Sequence, residues 1–289
     1  MRKTIKTILR ILKGFQTVLY QYNWGGQPYG FFIPHRYTSE IKKKKLQRVD
    51  WFYKNLSDKT YDFLKIVHSA VQYNQVFQSI YEQKNIEKNA PRFNQTWFTG
   101  LDAIITYTII RQAKPKTIIE VGSGHSTRFI YKSLQDEKLN SELISIDPSP
   151  RKEIDKICTK IYREPVFNVD KEIFLNLQEN DILFLDGSHI FMPGTDVDYL
   201  FNLIFPMIKK GVLIHIHDIF LPDRYPSEWN WRCYNEQNAL LSLLVGGNHF
   251  KVYFPCHFIK KYHPESLKEI YYTTPEGGYE SSFWLQKIF

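Results

Sequence analysis

The residues best suited to chemistry stand in two short clusters, each behind an apolar run. Asp186, Ser188 and His189 follow Asp181-Ile-Leu-Phe-Leu185, while His215, His217 and Asp218 close Val212-Leu-Ile-His-Ile-His-Asp218. His215 and His217 alternate with Ile214 and Ile216, so in an extended segment both imidazoles fall on one face. Acid and imidazole groups gathered from two strand ends have two uses. One is a metal site, in which Asp186, His217 and Asp218, or His189 in place of His217, form a hard set of oxygen and nitrogen donors. The other is a metal-free site in which His189 or His217 is a general base, because imidazole changes protonation near neutral pH. The deeper His215 reads as a core residue.

A third cluster lies earlier, in Ile118-Ile-Glu-Val-Gly-Ser-Gly-His-Ser-Thr-Arg-Phe-Ile130, an apolar strand that runs into glycines and then a helix. Glycines there let a ligand approach the backbone, and the helix start offers unpaired N–H groups. The dinucleotide fingerprint G-x-G-x-x-G is broken at Thr127 and no G-x-x-x-x-G-K occurs, which disfavours a nicotinamide dehydrogenase and excludes a triphosphate loop. Asp147 ends the next apolar run, Leu143-Ile-Ser-Ile-Asp147. A carboxylate there only accepts hydrogen bonds and can take two hydroxyls at once. Beyond Asp218, the segment Phe220 to Trp231 carries Tyr225, Trp229 and Trp231, which either stack on a ring of a ligand or pack the loop down.

The elements that must position these groups follow from hydrophobic periodicity. After Pro91, β-branched apolar runs at 117–121, 143–146, 159–162, 181–185 and 212–216 alternate with helical patterns, and two more strands are expected at 251–258 and 281–288. That order predicts an α/β fold, a Rossmann-like seven-stranded and mostly parallel sheet with helices on both faces, plus an N-terminal helical extension. Helices are expected over 99–113, over 197–208 with Gly211 as its stop, and from an Asn235 N-cap to Gly246. Residues 58–88 read as polar-aromatic helix, and the domain boundary is placed at 90/91.

The motifs E-V-G-S-G-H-S-T, S-I-D-P, D-I-L-F-L-D-G-S-H and G-V-L-I-H-I-H-D-I-F-L-P, in that order, resemble the class I S-adenosylmethionine-dependent methyltransferases. More narrowly they are similar to a bacterial branch of mostly unassigned substrate, remotely akin to catechol O-methyltransferase. The likeness extends to Gly30-Phe-Phe-Ile-Pro34, Pro91-Arg-Phe-Asn, Asn235-Glu-Gln and Gly277-Gly-Tyr-Glu-Ser-Ser-Phe-Trp-Leu285. The resemblance implies a methyltransferase domain over 91–289 with S-adenosylmethionine as cofactor. Glu120 would hold the methionine amino group, Gly122, Ser123 and Gly124 would line the cofactor's back, and Asp147 would take the ribose hydroxyls. Asp186 and Ser188 complete that set, and Asn168 or Asp170 is a candidate for the adenine edge. Ser126 stands where many members have a third glycine. In the catechol-type relatives Mg2+ orients a hydroxyl at these strand ends, which would fall to Asp186, His217 and Asp218 here; without metal, His189, His217 and Asp218 are the catalytic set. The acceptor implied is a small molecule or glycan, methylated on a hydroxyl oxygen. The alternative is a non-catalytic cofactor-binding protein docked by its N-terminal helix.

Composition bounds the rest. The 289 residues carry a net charge of +8, yet residues 1–50 hold 11 Lys/Arg against Glu40 and Asp50, or +9, which leaves −1 for the other 239. A nearly neutral body argues against a nucleic-acid partner. Cys158, Cys233 and Cys256 are widely spaced and odd in number, as expected of reduced thiols of the core. With no spanning or secretory segment legible, a cytoplasmic protein is expected. Ile5, Ile8, Leu9, Leu12, Phe15, Val18, Leu19 and Tyr22 recur at helical spacing among Lys3, Lys6, Arg10 and Lys13. This basic amphipathic helix would dock on the body, pair two copies in a homo-oligomer, or make a peripheral contact with the inner membrane surface. The run Lys42 to Lys45 reads as a solvated helix face.

Overall fold

The computed structural model describes residues 2–21, 24–25, 30–31, 33–37, 39–40, 48–84, 87–150, 154–272, 275 and 277–289. The lysine run at 42–45, Tyr22 and part of the aromatic loop at 24–34 lie outside the described residues. The chain divides into two compact units, residues 1–46 and 47–289. The first holds α1 (Arg2–Gln21).

The second unit opens with α2 (Asp50–Ser57), α3 (Thr60–Ala70) and α4 (Asn74–Tyr81), followed by α5 (Gly100–Ala113). Then come β1 (Thr117–Val121), α6 (His125–Asp136), β2 (Glu142–Ile146), β3 (Lys160–Tyr162), α7 (Glu172–Leu175) and β4 (Ile182–Leu185). The remainder is α8 (Asp196–Tyr199), which continues as a π-helical turn, β5 (Leu213–Ile216), α9 (Glu236–Gly246), β6 (Phe250–Pro255), α10 (Cys256–Tyr262) and β7 (Phe283–Lys287).

The strands form one seven-stranded sheet in the order β3-β2-β1-β4-β5-β7-β6, as expected. All neighbours are parallel except β7, which runs antiparallel to β5 and β6. From β1 the chain winds outward through β2 and β3, then returns to the other side of β1 for β4 and β5. With right-handed crossovers this reversal puts helices on opposite faces and opens a crevice beyond the carboxyl ends of β1 and β4. Gly122, Ser123, Asp147, Asp186, His189, His217 and Asp218 follow the carboxyl ends of β1, β2, β4 and β5 at that edge.

Two expectations are corrected. The strand expected over 251–258 ends at Pro255, and Cys256 starts α10, which buries Phe258 and Ile259. Cys256 N–H still donates to Ser282 O at 2.9 Å, so strand-like pairing stops there because the chain turns its apolar side chains into the core. The boundary at 90/91 gives way to 46/47. Phe52 lies 6.4 Å from Phe283 of β7, Phe63 6.2 Å from Phe254 of β6 and Phe77 5.5 Å from Tyr107 of α5. Polar residues dominate 58–88 in number, but these buried phenylalanines make α2 to α4 part of the sheet's own cover. Of the cysteines, Cys256 is buried and Cys233 is exposed.

A chain begun at residue 47 is expected to unfold in one cooperative transition, whereas one begun at residue 91 should lack it, since it strips cover from β6, β7 and α5. Phe63→Ala in the full chain should cost about 3–5 kcal/mol in urea unfolding.

Candidate active site

The turn after β1 is built by side chains that the glycines alone do not reveal. Gly122 has φ +80°, and a Cβ on it would sit 1.9 Å from the carbonyl oxygen of Asp186, so the β1 and β4 ends approach too closely for any other residue. Behind the turn, Glu120 is fully buried and its carboxylate accepts from Ser126 Oγ and Thr127 Oγ1, both at 2.6 Å. Thr127 Oγ1 also accepts from Gly124 N–H at 2.9 Å. Glu120 thus anchors the first turn of α6. Ser126, the departure from a third glycine, is half of that anchor. Burial pushes the Glu120 carboxyl up to about 8, against the two hydroxyl donors that favour its ionised form. Of the residues expected to bind a cofactor here, Gly122 and Ser123 line the cavity described below, while Glu120 and Gly124 are not among its lining residues.

Asp147, half-buried at the end of β2, accepts from Ser123 N–H at 2.8 Å and Ser123 Oγ at 3.2 Å through Oδ2, and from Ser149 N–H at 2.8 Å through Oδ1. It fixes the turn and lines the cavity. After β3 the cavity wall is Pro165, Val166 and Phe167. Asn168 and Asp170, the candidates for an adenine edge, are not part of it; Asp170 Oδ1 caps Glu172 N–H at 3.0 Å instead.

The ends of β4 and β5 bring Asp186, His189, His217 and Asp218 together. His189 and Asp218 both adopt left-handed backbone conformations, φ +60° and +57°, which fold the two strand ends back sharply. Each costs about 1–2 kcal/mol for a residue with a Cβ. His189 Nε2 lies 3.3 Å from Asp186 Oδ1 and 3.4 Å from Asp218 Oδ2, and His217 Nδ1 lies 3.3 Å from Asp186 Oδ1 and 3.5 Å from Asp218 Oδ1. The outer ring nitrogens are taken as well, His189 Nδ1 by Glu236 at 2.8 Å and His217 Nε2 by Asp102 at 3.3 Å. Burial alone would lower both imidazoles, but the surrounding carboxylates outweigh it and hold each well above its ordinary value. Asp186 is in turn held well below the usual carboxylate range by the two imidazoles, in spite of its own burial.

This pattern corrects the metal expectation. Each imidazole has a carboxylate facing both of its nitrogens, which favours the protonated ring, and a protonated nitrogen has no lone pair to give a metal. Among the described residues, no group of three or more His, Cys, Asp or Glu has the arrangement to hold a metal ion. The Mg2+ expectation therefore has no support in the arrangement of the described residues. The same pattern bears on the base: neither His189 nor His217 has a free ring nitrogen facing the cavity. His215 lies in the core, stacked on Phe184 at 3.6 Å, with burial first and then His217 holding it well below its ordinary value.

Sequence reading missed the groups behind the histidines. Asp102, fully buried on α5, accepts from Ser281 N–H and Ser282 N–H at 2.9 Å as well as facing His217. Glu236 belongs to Asn235-Glu-Gln, and all three side chains of that triplet clamp site loops. Asn235 Oδ1 accepts from Phe191 N–H at 2.7 Å and its Nδ2 donates to Phe191 O at 3.2 Å, so it pairs with backbone rather than capping α9. Gln237 Oε1 accepts from Phe220 N–H at 3.0 Å. Arg232, 3.9 Å from Asp218, lies over the Trp229 ring at 4.1 Å. Ser188 is bound to Asp196 by both its N–H, at 2.8 Å, and its hydroxyl. Of the loop aromatics, Trp229 lines the cavity, Tyr225 packs edge-on against Phe220 and Tyr234, and Trp231 is exposed.

One cavity of about 530 Å³ joins these parts. Ser123, Asp147 and Phe167 lie toward β1 and β2, and Asp186, His189, His217 and Asp218 toward β4 and β5, with Trp229, Arg232 and Tyr234 completing the latter end; Trp97 lines the cavity too.

Residues 119–219 match the family model described as a methyltransferase domain, in line with the resemblance read from the motifs. Comparison with curated proteins finds no match. Among solved structures, the chain is similar to a Podospora anserina methyltransferase bound to S-adenosylhomocysteine, at 14% identity and TM-score 0.42, over 90% of this chain and 100% of that one. It is similar also to a Bacillus cereus O-methyltransferase in complex with S-adenosylhomocysteine, at 9% identity and TM-score 0.42, over 77% and 90% of the two chains.

Two outcomes follow. Below its ordinary value of 4.5 Glu120 is protonated in folded and unfolded chains alike, but from there to about 8 the fold keeps a proton that the unfolded chain releases. Its contribution to stability therefore falls as pH rises through that window, and Glu120→Gln should flatten the fall when urea unfolding is measured from pH 5 to 9. Asp102→Asn should lower stability by about 3–5 kcal/mol, since it leaves His217 facing an amide inside the core; a loss below 1 kcal/mol in the same assay would contradict the buried ion pair.

Proposed function

We propose that the protein transfers the methyl group of S-adenosylmethionine to a hydroxyl oxygen of a small-molecule or glycan acceptor. The observation that carries this reading is the single cavity in which the Ser123–Asp147 end and the Asp186–His189–His217–Asp218 end meet. Its volume falls within the roughly 300–1,000 Å³ usual for ligand pockets. S-adenosylmethionine, when bound, supplies a methyl group activated on a sulfonium.

Asp147 is the residue for the ribose hydroxyls, because it is the cavity's carboxylate at the end of β2 and accepts on both oxygens. Gly122 and Ser123 lie against the cofactor's back, and Val166 with Phe167 forms an apolar wall for the adenine ring. At the other end Trp97, Trp229 and Tyr234 offer flat faces to a sugar or aromatic acceptor, and Arg232 a cation to its polar groups.

The proton leaves through a carboxylate in this reading. The acceptor hydroxyl donates to Asp186 or Asp218, and as its oxygen takes the methyl carbon, whose bond to sulfur would break to leave S-adenosylhomocysteine, it becomes strongly acidic and gives up its proton along that hydrogen bond. Even a weak base suffices at that moment, so the low Asp186 carboxyl is no obstacle. His189 and His217, pinned outward by Glu236 and Asp102, orient the two carboxylates and balance their charge. The reading replaces an imidazole base with a carboxylate because neither imidazole has a free ring nitrogen facing the cavity. Positioning does the rest.

Calorimetric titration with S-adenosylhomocysteine should give one-to-one binding, weakened at least about tenfold, or about 1.4 kcal/mol, by Asp147→Ala. Absence of heat would overturn the cofactor assignment. With labelled methyl donor and a panel of hydroxyl acceptors, Asp218→Asn should keep cofactor affinity within about threefold while turnover falls on the order of a hundredfold. kcat should be flat from pH 6 to 8; a rise through pH 7–9 would return the base role to a histidine.

A further inference from the structure

α1 is amphipathic and its apolar half is exposed. Ile5, Ile8, Leu9, Ile11, Leu12 and Phe15 are each at least half exposed, and at about 100° per residue they share one half of the helix. Lys6, Arg10 and Lys13 are exposed on the opposite half. Trp24, whose N–H donates to Leu19 O at 2.9 Å beyond the helix's carboxyl end, is 79% exposed. Phe31 and Ile33 in the same unit are more than half exposed too. Residues 1–39 contain six Lys/Arg and no Asp or Glu. Among the described residues no helix is long and apolar enough to cross a membrane.

We propose that α1 lies flat on an anionic lipid surface, its apolar half sunk among the acyl chains and Lys6, Arg10 and Lys13 at the level of the headgroup phosphates. An anionic bilayer satisfies both halves of the helix at once. A second copy of this chain covers only the apolar half and brings a like-charged segment alongside. Trp24 stands where aromatic residues favour the boundary between headgroup and hydrocarbon. The arrangement is that of in-plane helices, whose binding sums buried apolar area and attraction to anionic lipid. It does not depend on what the cavity binds.

The test is co-sedimentation of the full chain with vesicles of mixed phosphatidylglycerol and phosphatidylcholine, against vesicles of phosphatidylcholine alone. Binding should favour the anionic vesicles, weaken as salt rises from 0.1 to about 0.5 M, and drop about fivefold for Lys6→Gln. The double variant Leu9→Glu with Leu12→Glu should bind on the order of a hundredfold less, with its unfolding temperature unchanged because both positions are exposed. No binding to either vesicle, or equal binding to both, would overturn the proposal. So would a dimer in light scattering that the double variant dissociates, since the face would then belong to a second copy.

Discussion

The site rests on a run of acid and imidazole groups, Asp102, His217, Asp186 with Asp218, His189 and Glu236, buried except for Asp186, which is a third exposed to the cavity, and every imidazole nitrogen in it faces a carboxylate. The run ties α5, the ends of β4 and β5 and the start of α9 into one object, and the segment before β7 joins through Ser281 and Ser282. Burying these groups singly would be prohibitive; burying them as paired neighbours is tolerable because each charge is met. The two left-handed residues at its centre, His189 and Asp218, are held in place by that network. It is a case of backbone strain kept where surrounding contacts over-determine the geometry.

Facing that network across the crevice is a turn that works on a different principle. Gly122 is required by the carbonyl of Asp186, so the Ser123–Asp147 side and the acidic side are built on the same close approach of β1 and β4. Glu120, Ser126 and Thr127 stiffen the turn from behind, and Asp147 stiffens it from the front. A site so braced changes little on binding, which suits a reaction whose rate depends on alignment. The other end of the cavity is different in kind. There Trp229, Arg232 and Tyr234 come from one long loop, held to the scaffold by the Asn235-Glu-Gln triplet, and loops of that sort are where substrate choice is made.

The strand runs at 117–121, 143–146 and 212–216 were legible because strands buried on both faces are mostly apolar and β-branched, even with Glu120, Ser145 and His215 among them. The turn was legible because glycine spacing reports a local backbone need. Less legible were elements whose place depends on distant partners. The strand expected through Phe258 stops at Pro255, since apolar content does not distinguish a strand from a short buried helix. The helices at 50–81 read as an extension because polar residues outnumber the few phenylalanines that dock them. Glu120 read as a ligand contact, and its part in anchoring the first turn of α6 through hydroxyls six and seven residues on was not legible.

Sequence alone determined the sheet, its winding and the edge at which Asp147, Asp186, His189, His217 and Asp218 gather, because these follow from local periodicity and from the handedness of crossovers. Only the tertiary structure decided what those groups are. Asp102 and Glu236 stand 115 and 47 residues from the histidines they face, and no local pattern marks either as a partner. Their carboxylates take the outer ring nitrogens, and that contact across the fold leaves neither imidazole a free ring nitrogen facing the cavity. Protonation depends on which charges lie within a few ångströms, and that distance is set by packing.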